Sequence, residues 1–587
     1  MRGTPSGRLD PVTFELIHAA LLSAAEEMGA VMKRSTYSPI IREMDDFSCA
    51  IFAANGDLVA QADYIPAQLG AMSLVVKSTL ARWRNAMRPG DVFIANHPYM
   101  GCMHTPDINI LMPVFLNGRL FAWTGTTAHH VDVGGVNPGT EGAHLRQLYA
   151  EGLVLPPVRL SRSGHEDPDI VAVITNNVRD PLSTMSDLRA QRAACDLGRR
   201  RLEEAVERFG PHAVRRAFAQ ALDHVEAAAR AALRHLPDGE AEAEGFMDDD
   251  GLGGPPTRIH ARLRKHADRL SVDLSGSAPQ VAGALNVPWA STRAVVVYLL
   301  RAMTDPSMTT NDGILRLVDI VCPLGSVLNP APPAAVSVRH NTCQRLAEVL
   351  VRAASAIWPE KAVASGTVTF VGVNLDSISP KTGRPSVMGD VVGGGTGAHR
   401  DGDGLDGVDT YMSNVGLVPV EVGEAEYSVR IRRTELIPGS QGLGTYEGGL
   451  GIRREYEILG FPQTLTIYAE QTDPRFAPCG VLGGGDGSPT RLRIFDPEGR
   501  ELEIPTKTTL TLAPGSVVRV ETSGGGGYGN PARRDPLSRQ ADAEDGRVLL
   551  SSGSSSRNTG TRRAGAGASR TRASRAGRES NPQPSDP

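Results

Sequence analysis

The stretch "HTPDINILMPVFLNGRLFAWTGTTAHHVD", residues 104–132, places two runs of strand-forming residues on either side of Asn117-Gly118. Asn-Gly between two such runs is the strongest short-range signal for a two-residue β-hairpin. Opposed residues in such a hairpin have numbers that add up to 235, the sum of 117 and 118. Asp107 is therefore predicted to pair near Ala128, and His104 near Val131. The turn brings the two ends of the stretch together.

The ends of this hairpin carry residues of the types that bind metal ions. Neighbouring strands lie about 4.8 Å apart, so five side chains would converge within reach of one ion. These five are His104, Asp107, His129, His130 and Asp132. Two imidazoles and one or two carboxylates suit a divalent metal of the Zn, Mn or Fe kind. The alternative is that they are ordinary hydrogen-bonded histidines and capping acids at strand ends.

Strand parity does not choose between the two adjacent histidines. Strict alternation would place His129 on the face of His104, and His130 on the face of Asp107. Pro106 is expected to end regular pairing just there, because proline has no N–H to donate. Both histidines therefore stay candidates.

The rest of the chain predicts an α+β fold. Asp10-Pro11 is typical of a helix start, and Asn55-Gly56 centres a second hairpin of residues 47–62. Residues 180–236 have a helical pattern with a Gly210-Pro211 break, which predicts a long helical hairpin. Later residues mix short strands and Gly-rich connections with helices near 290–303 and 343–357. We expect a multi-domain α+β protein with mixed antiparallel sheets, long helices and large Gly-rich loops.

Composition shifts divide the 587 residues into three segments. Residues 1–240 are predicted to form an N-terminal α+β domain with the metal hairpin and the helical hairpin. Residues 241–532 are predicted to form a C-terminal α+β domain with Gly-rich loops. Residues 533–587 are rich in Arg and Ser with almost no aromatic residues, which predicts a disordered tail.

Charge and cysteine content argue against a nucleic-acid-binding protein and against a disulfide-rich or Cys-rich zinc protein. The net charge is -5, and the tail from Arg533 contributes +5, which leaves -10 for residues 1–532. An acidic body makes nucleic acid an unexpected partner. The six cysteines include no CxxC pair, which argues against a disulfide framework or a Cys-rich zinc site and fits a reduced cytoplasm. No run approaches the roughly 18 apolar residues of a membrane helix, so we expect no membrane association and a cytoplasmic protein.

Three Gly-rich loops, residues 391–407, 438–451 and 522–531, have two interpretations. Their backbone N–H groups could cradle an anion, or the glycines could form tight turns between strands. No G-x-x-x-x-G-K-[ST] sequence occurs, so nucleotide binding by this chain alone is not expected.

Six further polar side chains also have two interpretations. Several side chains could face a carboxylate or carbonyl ligand, or could form surface ion pairs and helix caps. They are Arg42, Asp45, Asp46, Arg339, Gln344 and Arg345. A lone nucleophilic Cys343 also remains open.

Six separated motifs resemble the hydantoinase B/oxoprolinase family. They read "DFSCAIFAANGDLVAQA", "HTPDINILMPVF", "AHHVDVGGVNPGT", "SDLRAQRAACDLGRRRL", "DLSGSAPQVAGALNVP" and "TSGGGGYGNP", and they span roughly residues 10–531. The family includes the B-type component of N-methylhydantoinase, the C-terminal half of 5-oxoprolinase, and the α subunits of acetone and acetophenone carboxylases.

The resemblance implies a metal and a partner. The family's H-x-P-D and A-H-H-x-D-V-G-G motifs match this chain, and in the carboxylase relatives a divalent metal sits in the B-type subunit. His104, Asp107 and His129 are then the expected ligands of a divalent metal, Zn or Mn. A hydantoinase A-type subunit would bind ATP and phosphorylate the amide or carbonyl oxygen of the substrate, which would explain the missing phosphate loop.

Four positions depart from the family pattern. His97 replaces a frequent Asp, Tyr64 and Gln68 replace histidines, and Glu447 stands where Arg is usual. The metal motifs are intact.

The resulting hypothesis is a B-type subunit of an ATP-dependent hydrolase that opens a cyclic amide such as a hydantoin or 5-oxoproline. A water activated by the ion would attack the phosphorylated intermediate. His130 or Asp132 would act as the general base or as support behind the ligands. The alternatives are a carboxylase subunit that uses the same site, and a non-catalytic scaffold for the A-type subunit.

Overall fold

The computed structural model describes residues 8–62, 64–68 and 70–548. Within these residues the chain forms ten helices and four sheets, which confirms the α+β class. The helices are α1 (Pro11–Ser35), α2 (Pro39–Arg42), α3 (Met72–Trp83), α4 (Pro168–Thr175), α5 (Pro181–Phe209), α6 (Pro211–His235), α7 (Trp289–Met303), α8 (Arg339–Ile357), α9 (Val420–Glu426) and α10 (Pro536–Glu544). None of these described helices is both long and apolar enough to cross a membrane.

The first sheet has seven antiparallel strands in the order β2-β1-β5-β4-β3-β6-β7. They are β1 (Phe47–Ala53), β2 (Leu58–Ala62), β3 (Val92–Ala95), β4 (Asp107–Leu116), β5 (Arg119–His129), β6 (Val158–Arg162) and β7 (His165–Glu166). Helices α1 and α5 pack against each other, and α5 also packs on β4 and β5. The predicted hairpin therefore occupies the middle of a sheet covered by long helices, and its side chains are buried except beside the turn.

Local signals in this half behave as predicted. The Asp10 side chain accepts a hydrogen bond from Thr13 N at 3.0 Å and caps α1. Strands β1 and β2 pair across the Asn55-Gly56 turn. Gly210, with φ of 82°, separates α5 from α6, and Pro211 opens α6.

The hairpin has the predicted turn but not the predicted register. Asn117 and Gly118 both have positive φ, 48° and 74°, as a type I′ turn requires. Pairing follows the sum of 235 only at the first two pairs beside the turn. Farther out Asp107 faces His129, so the predicted pairing near Ala128 is wrong by one residue.

A β-bulge causes this shift. Phe115 pairs with Leu120, but Val114 pairs with Ala122, which leaves Phe121 as the extra residue on β5. The Phe121 ring is buried and lies 5.7 Å from the ring of Phe218 on α6. Packing between sheet and helix thus accompanies the bulge, and the bulge puts His129 on the face of Asp107.

The second half contains three further sheets. Their strands are β8 (Gly239–Met247), β9 (Thr257–His266), β10 (Arg269–Asp273), β11 (Val318–Val321), β12 (Val371–Ile378), β13 (Pro385–Val392), β14 (Val429–Leu436), β15 (Ile452–Ile458), β16 (Gln463–Tyr468), β17 (Arg491–Phe495), β18 (Glu501–Leu502), β19 (Lys507–Leu512) and β20 (Val517–Glu521). The sheet orders are β11-β10-β9-β8, β13-β12-β16-β19 and β14-β15-β20-β17-β18. Only the β10–β11 pair among these described strands is parallel.

The domain boundary expected near residue 240 stays a prediction. Residue 240 lies inside β8, directly after α6. One hydrophobic cluster includes Val225 and Leu233 of α6 together with Ile314 and Leu346. Side chains from both expected domains thus pack in one core.

The expected disordered tail begins with ordered residues. Residues 533–548 include α10, and the Arg534 guanidinium is buried between Asp403 and Asp542, at 2.7 and 2.8 Å. Composition predicts disorder because the segment is poor in apolar residues, but ion pairs with the body order its first part. Residues 549–587 lie outside the described residues.

Candidate metal centre

The hairpin ends bring three of the predicted side chains into one buried cluster. Asp107 opens β4, His129 closes β5 opposite it, and His104 lies on the turn that precedes β4. Asp107 Oδ1 is 3.1 Å from His104 Nε2 and 3.3 Å from His129 Nδ1. His104 and Asp107 are 1% exposed, and His129 is 9% exposed.

These separations suit atoms that share a metal ion. Metal–ligand bonds of about 2.0–2.2 Å place neighbouring ligand atoms roughly 3.0–3.5 Å apart. His104 Nε2 has no hydrogen-bond partner among the described residues, although it stands beside the Asp107 carboxylate. Two lone-pair atoms facing each other call for a cation or a proton between them. The donor set therefore fits a divalent ion.

A backbone carbonyl group fixes the tautomer of His104. Its Nδ1 lies 3.0 Å from the carbonyl oxygen of Ser337, to which it donates. This hydrogen bond leaves Nε2 without a proton and directs its lone pair toward Asp107. Histidines that bind metals are commonly held in this way by a backbone carbonyl.

Charges around Asp107 keep it ionised. Burial disfavours the carboxylate, but His104, His129 and Arg339 hold the pKa of Asp107 well below its usual range. Arg339 donates from a terminal nitrogen to Asp107 Oδ2 at 2.9 Å. Burial also disfavours the charged ring of His129, yet Asp107 and Asp46 raise the pKa of His129 to about 9.

Glu141 joins the cluster from the loop after β5. Ligand atoms of His104, His129 and Glu141 lie within 4.8 Å of one another. Glu141 Oε1 is 3.6 Å from Nδ1 of His104 and 3.6 Å from Nδ1 of His340, while Tyr468 donates its hydroxyl to Oε2. Glu141 is therefore a further candidate ligand, which local sequence signals do not reveal, and the group that it forms with His104 and His129 does not include Asp107.

A cavity of about 50 Å³ opens onto the cluster, which leaves room for an ion with a few waters. Its polar lining comes from distant parts of the chain, and includes Asp46, Gln68, His104, His129, Glu141, Arg339, His340, Asn374 and Tyr468. Burial raises the pKa of Asp46 to about 6. Asp46, Gln68 and Arg339 stand out in the sequence, but no local pattern predicts that they share a site. His340 and Tyr468 carry no local signal at all.

His130 and Asp132 lie outside this cavity. His130 Nε2 is 3.0 Å from Gln191 Oε1 on α5, and burial lowers the pKa of His130. Asp132 accepts hydrogen bonds from Gly134 N at 2.9 Å and from the Arg179 guanidinium at 2.8 Å. The structure thus brings together His104, Asp107 and His129, and does not bring His130 or Asp132 to them.

Three other features noted in the sequence are Cys343, the Gly-rich loops and Glu447. Cys343 is buried, and burial raises the pKa of its thiol to about 11, which disfavours the nucleophilic thiolate. The Gly-rich loops contact one another, since Gly525 N donates to Gly449 O at 2.9 Å and Gly395 N donates to Ser523 O at 3.1 Å. The unusual Glu447 lies 3.4 Å from the Arg534 guanidinium.

Comparisons with known proteins agree on one family. The family model described as Hydantoinase B/oxoprolinase matches residues 10–531. A protein of Pseudomonas sp. (strain NS671), named as the B-type component of a D-/L-hydantoinase, is 32% identical over 92% of this chain and 93% of its own. The 5-oxoprolinase 1 of Arabidopsis thaliana is 31% identical over 89% of this chain but only 42% of its own length.

Two solved structures resemble most of the chain. The ATP-dependent caprolactamase from Pseudomonas jessenii superposes with a TM-score of 0.87 at 28% identity, over 92% of this chain and 95% of that one. A nucleotide-free acetone carboxylase gives a TM-score of 0.83 over 92% of this chain and 78% of that one. Its 19% identity shows a common fold alone.

Proposed function

Since this chain belongs to the hydantoinase B/oxoprolinase family, we propose that it is the B-type subunit of an ATP-dependent hydrolase that opens a cyclic amide. The hydantoinase component and the caprolactamase among its relatives support a cyclic amide as substrate. One observation carries the proposal. In the buried triad of His104, Asp107 and His129, the two histidines line a cavity, and His104 is locked in the metal-binding tautomer.

An A-type subunit that binds ATP is the proposed partner. The plant 5-oxoprolinase is more than twice as long as the segment that matches this chain, which leaves room for such a part in the same polypeptide. The proposed compartment is the cytoplasm.

The triad would hold a divalent ion, Zn or Mn, with Glu141 as the fourth ligand. When bound, such an ion supplies Lewis-acid chemistry. Arg339 orients the Asp107 carboxylate through its 2.9 Å hydrogen bond. The cavity lining also carries the carboxyl groups of Asp46, Glu141 and Asp390.

His130 and Asp132 take supporting roles in this proposal. His130 ties the end of β5 to α5 through Gln191, and Asp132 ties the following turn to Arg179. A general base needs to lie within hydrogen-bond reach of the proton that it removes, and neither side chain lines the cavity.

Metal content and turnover test the proposal together. We expect about one ion per wild-type chain by mass spectrometry, and its loss in His104→Ala and Asp107→Ala. The control is His18→Ala, which removes a buried histidine of α1 that lies outside the cluster. With the A-type subunit, ATP and a cyclic amide, the two site variants should form the complex but not turn over.

Three outcomes contradict the proposal in different ways. A wild-type chain that stays empty after incubation with Zn or Mn removes the metal centre. Full turnover in both site variants favours a scaffold. Turnover that requires bicarbonate favours a carboxylase.

A further inference from the structure

A buried glutamate, Glu151, lies behind the metal centre and outside its cavity. It is 0% exposed, and its Oε1 accepts hydrogen bonds from the backbone N–H groups of Val336 and Ser337, the second at 2.7 Å. Its Oε2 has no hydrogen-bond partner among the described residues. Burial raises the pKa of Glu151 to about 8. A buried carboxyl group with one unsatisfied oxygen is costly and calls for an explanation.

The two N–H groups belong to the segment that leads into α8. Three residues in and directly after this segment contact the candidate metal centre. The Ser337 carbonyl accepts from His104 Nδ1 at 3.0 Å. Arg339 reaches Asp107 at 2.9 Å, and His340 lies 3.6 Å from Glu141. The N-cap residue of α8, Val338, makes no side-chain cap hydrogen bond, and Glu151 holds the two residues that precede it.

Glu151 is itself tied to the other side of the centre. Its loop pairs with the turn that follows β5, through Leu153 N to Val133 O at 2.8 Å and Val136 N to Ala150 O at 3.2 Å. One side chain therefore connects the segment after His129 with the segment before Arg339, although the two are far apart in sequence.

We propose that Glu151 is a positioning residue that fixes the Val336–Ser337 backbone, so that the Ser337 carbonyl holds His104 in its metal-binding tautomer. The inference rests on the proposed metal centre. One oxygen of Glu151 accepts hydrogen bonds from two successive backbone N–H groups, which restrains this backbone in one conformation. Glu151 acts through Ser337 and does not line the cavity.

Cobalt titration of the full-length chain tests this role, because the visible absorption of Co²⁺ reports ligand geometry. We expect Glu151→Ala to weaken Co²⁺ binding by about 10- to 100-fold and to alter the spectrum. Glu151→Gln keeps an oxygen that can accept both N–H groups, so it should lose less. The control is Glu455→Ala, which removes another buried glutamate, one that pairs with Arg519 at 2.7 Å on a different sheet.

The outcomes separate positioning from general destabilisation. Wild-type affinity and spectrum in a folded Glu151→Ala chain overturn the inference, and so does an equal loss of affinity in Glu455→Ala. If Glu151→Ala does not fold, Glu151→Asp is tested in its place, because its shorter side chain withdraws the carboxyl group from the two N–H groups by one methylene. Wild-type Co²⁺ binding in Glu151→Asp would also contradict the inference. A wild-type chain that binds no Co²⁺ removes the metal centre itself, and this inference with it.

Discussion

The candidate metal centre and the Gly-rich loops are both tightly packed, but by opposite means. In the centre, side chains fill a buried volume, and the Asp107 carboxylate touches His104, His129 and Arg339 within 3.3 Å. In the loops, backbone meets backbone. A Cβ atom on Gly525 would lie 1.8 Å from the carbonyl oxygen of Thr396.

This difference teaches how each region encodes its structure. The centre depends on which chemical groups are present, so its residues can be recognised as candidates in the sequence. The loops depend on the absence of side chains, and a glycine run looks the same whether it turns, binds an anion or packs on another loop. Substitutions should therefore act on different properties: metal binding in the centre and folding in the loops.

The largest effect is expected in the loops. Gly525→Ala places its Cβ inside the Thr396 carbonyl, which is backbone and cannot rotate away, so unfolding free energy should fall by more than about 3 kcal/mol. Thermal or urea unfolding measures this loss. Gly485→Ala is the matched control, since its Cβ would meet nothing closer than 3.4 Å. Equal stability of the two variants would show that the loops are not packed as described.

Two adjacent histidines offer the next comparison. His129→Ala should lose the bound metal, whereas His130→Ala should keep it and lose roughly 2 kcal/mol of stability, because Gln191 loses a buried partner. Metal content and urea unfolding of both variants check this. Loss of metal in His130→Ala as well would contradict the face assignment that the bulge produces.

A pH-dependent effect is expected where the loops meet the core. Burial raises the pKa of Asp409 from 3.8 to about 7. Between these values the folded state holds a proton that the unfolded state has lost, so unfolding releases a proton and stability falls as pH rises toward 7. From pH 5 to 7 the wild type should lose about 2 kcal/mol more than Asp409→Asn.

Urea unfolding at both pH values measures this difference. Asp409→Asn changes stability at every pH, so only the slope between pH 5 and 7 is informative. Parallel slopes in the two chains would show that Asp409 is ionised in the folded protein at pH 5.

The smallest effect belongs to an ion pair at the edge of the loops. Arg547 pairs with Asp406, and both side chains are about one-fifth exposed. Water and salt screen such a pair, so Arg547→Met should change unfolding free energy by less than about 1 kcal/mol. A loss above about 2 kcal/mol in urea unfolding would mean that residues 533–548 clamp the loops far more strongly than a screened pair allows.

The sequence predicts much of this molecule and misses specific parts for physical reasons. The α+β class, the hairpin and the long helices follow from local signals, and the family resemblance is confirmed. The register error comes from the bulge at Phe121, which accompanies packing against the distant residue Phe218. Counting from a turn cannot detect such a contact.

The candidate site is predicted only in its local half. His104, Asp107 and His129 lie close in sequence and share one hairpin, so pattern and turn geometry bring them together. Glu141 stands on an irregular loop, while His340 and Tyr468 belong to elements far along the chain. Nothing near them in sequence marks them, because long-range packing alone brings them to the cavity.

The residues that line the cavity lie far apart in sequence, so they are synthesised at different times. His104, Asp107 and His129 leave the ribosome early, but the carbonyl of Ser337, the Arg339 guanidinium and the Tyr468 hydroxyl follow much later. In a nascent chain, the side chains of His104, Asp107 and His129 are therefore present before the residues that enclose the candidate site have been synthesised. The proposed metal site is therefore complete only after residue 468 has joined the fold.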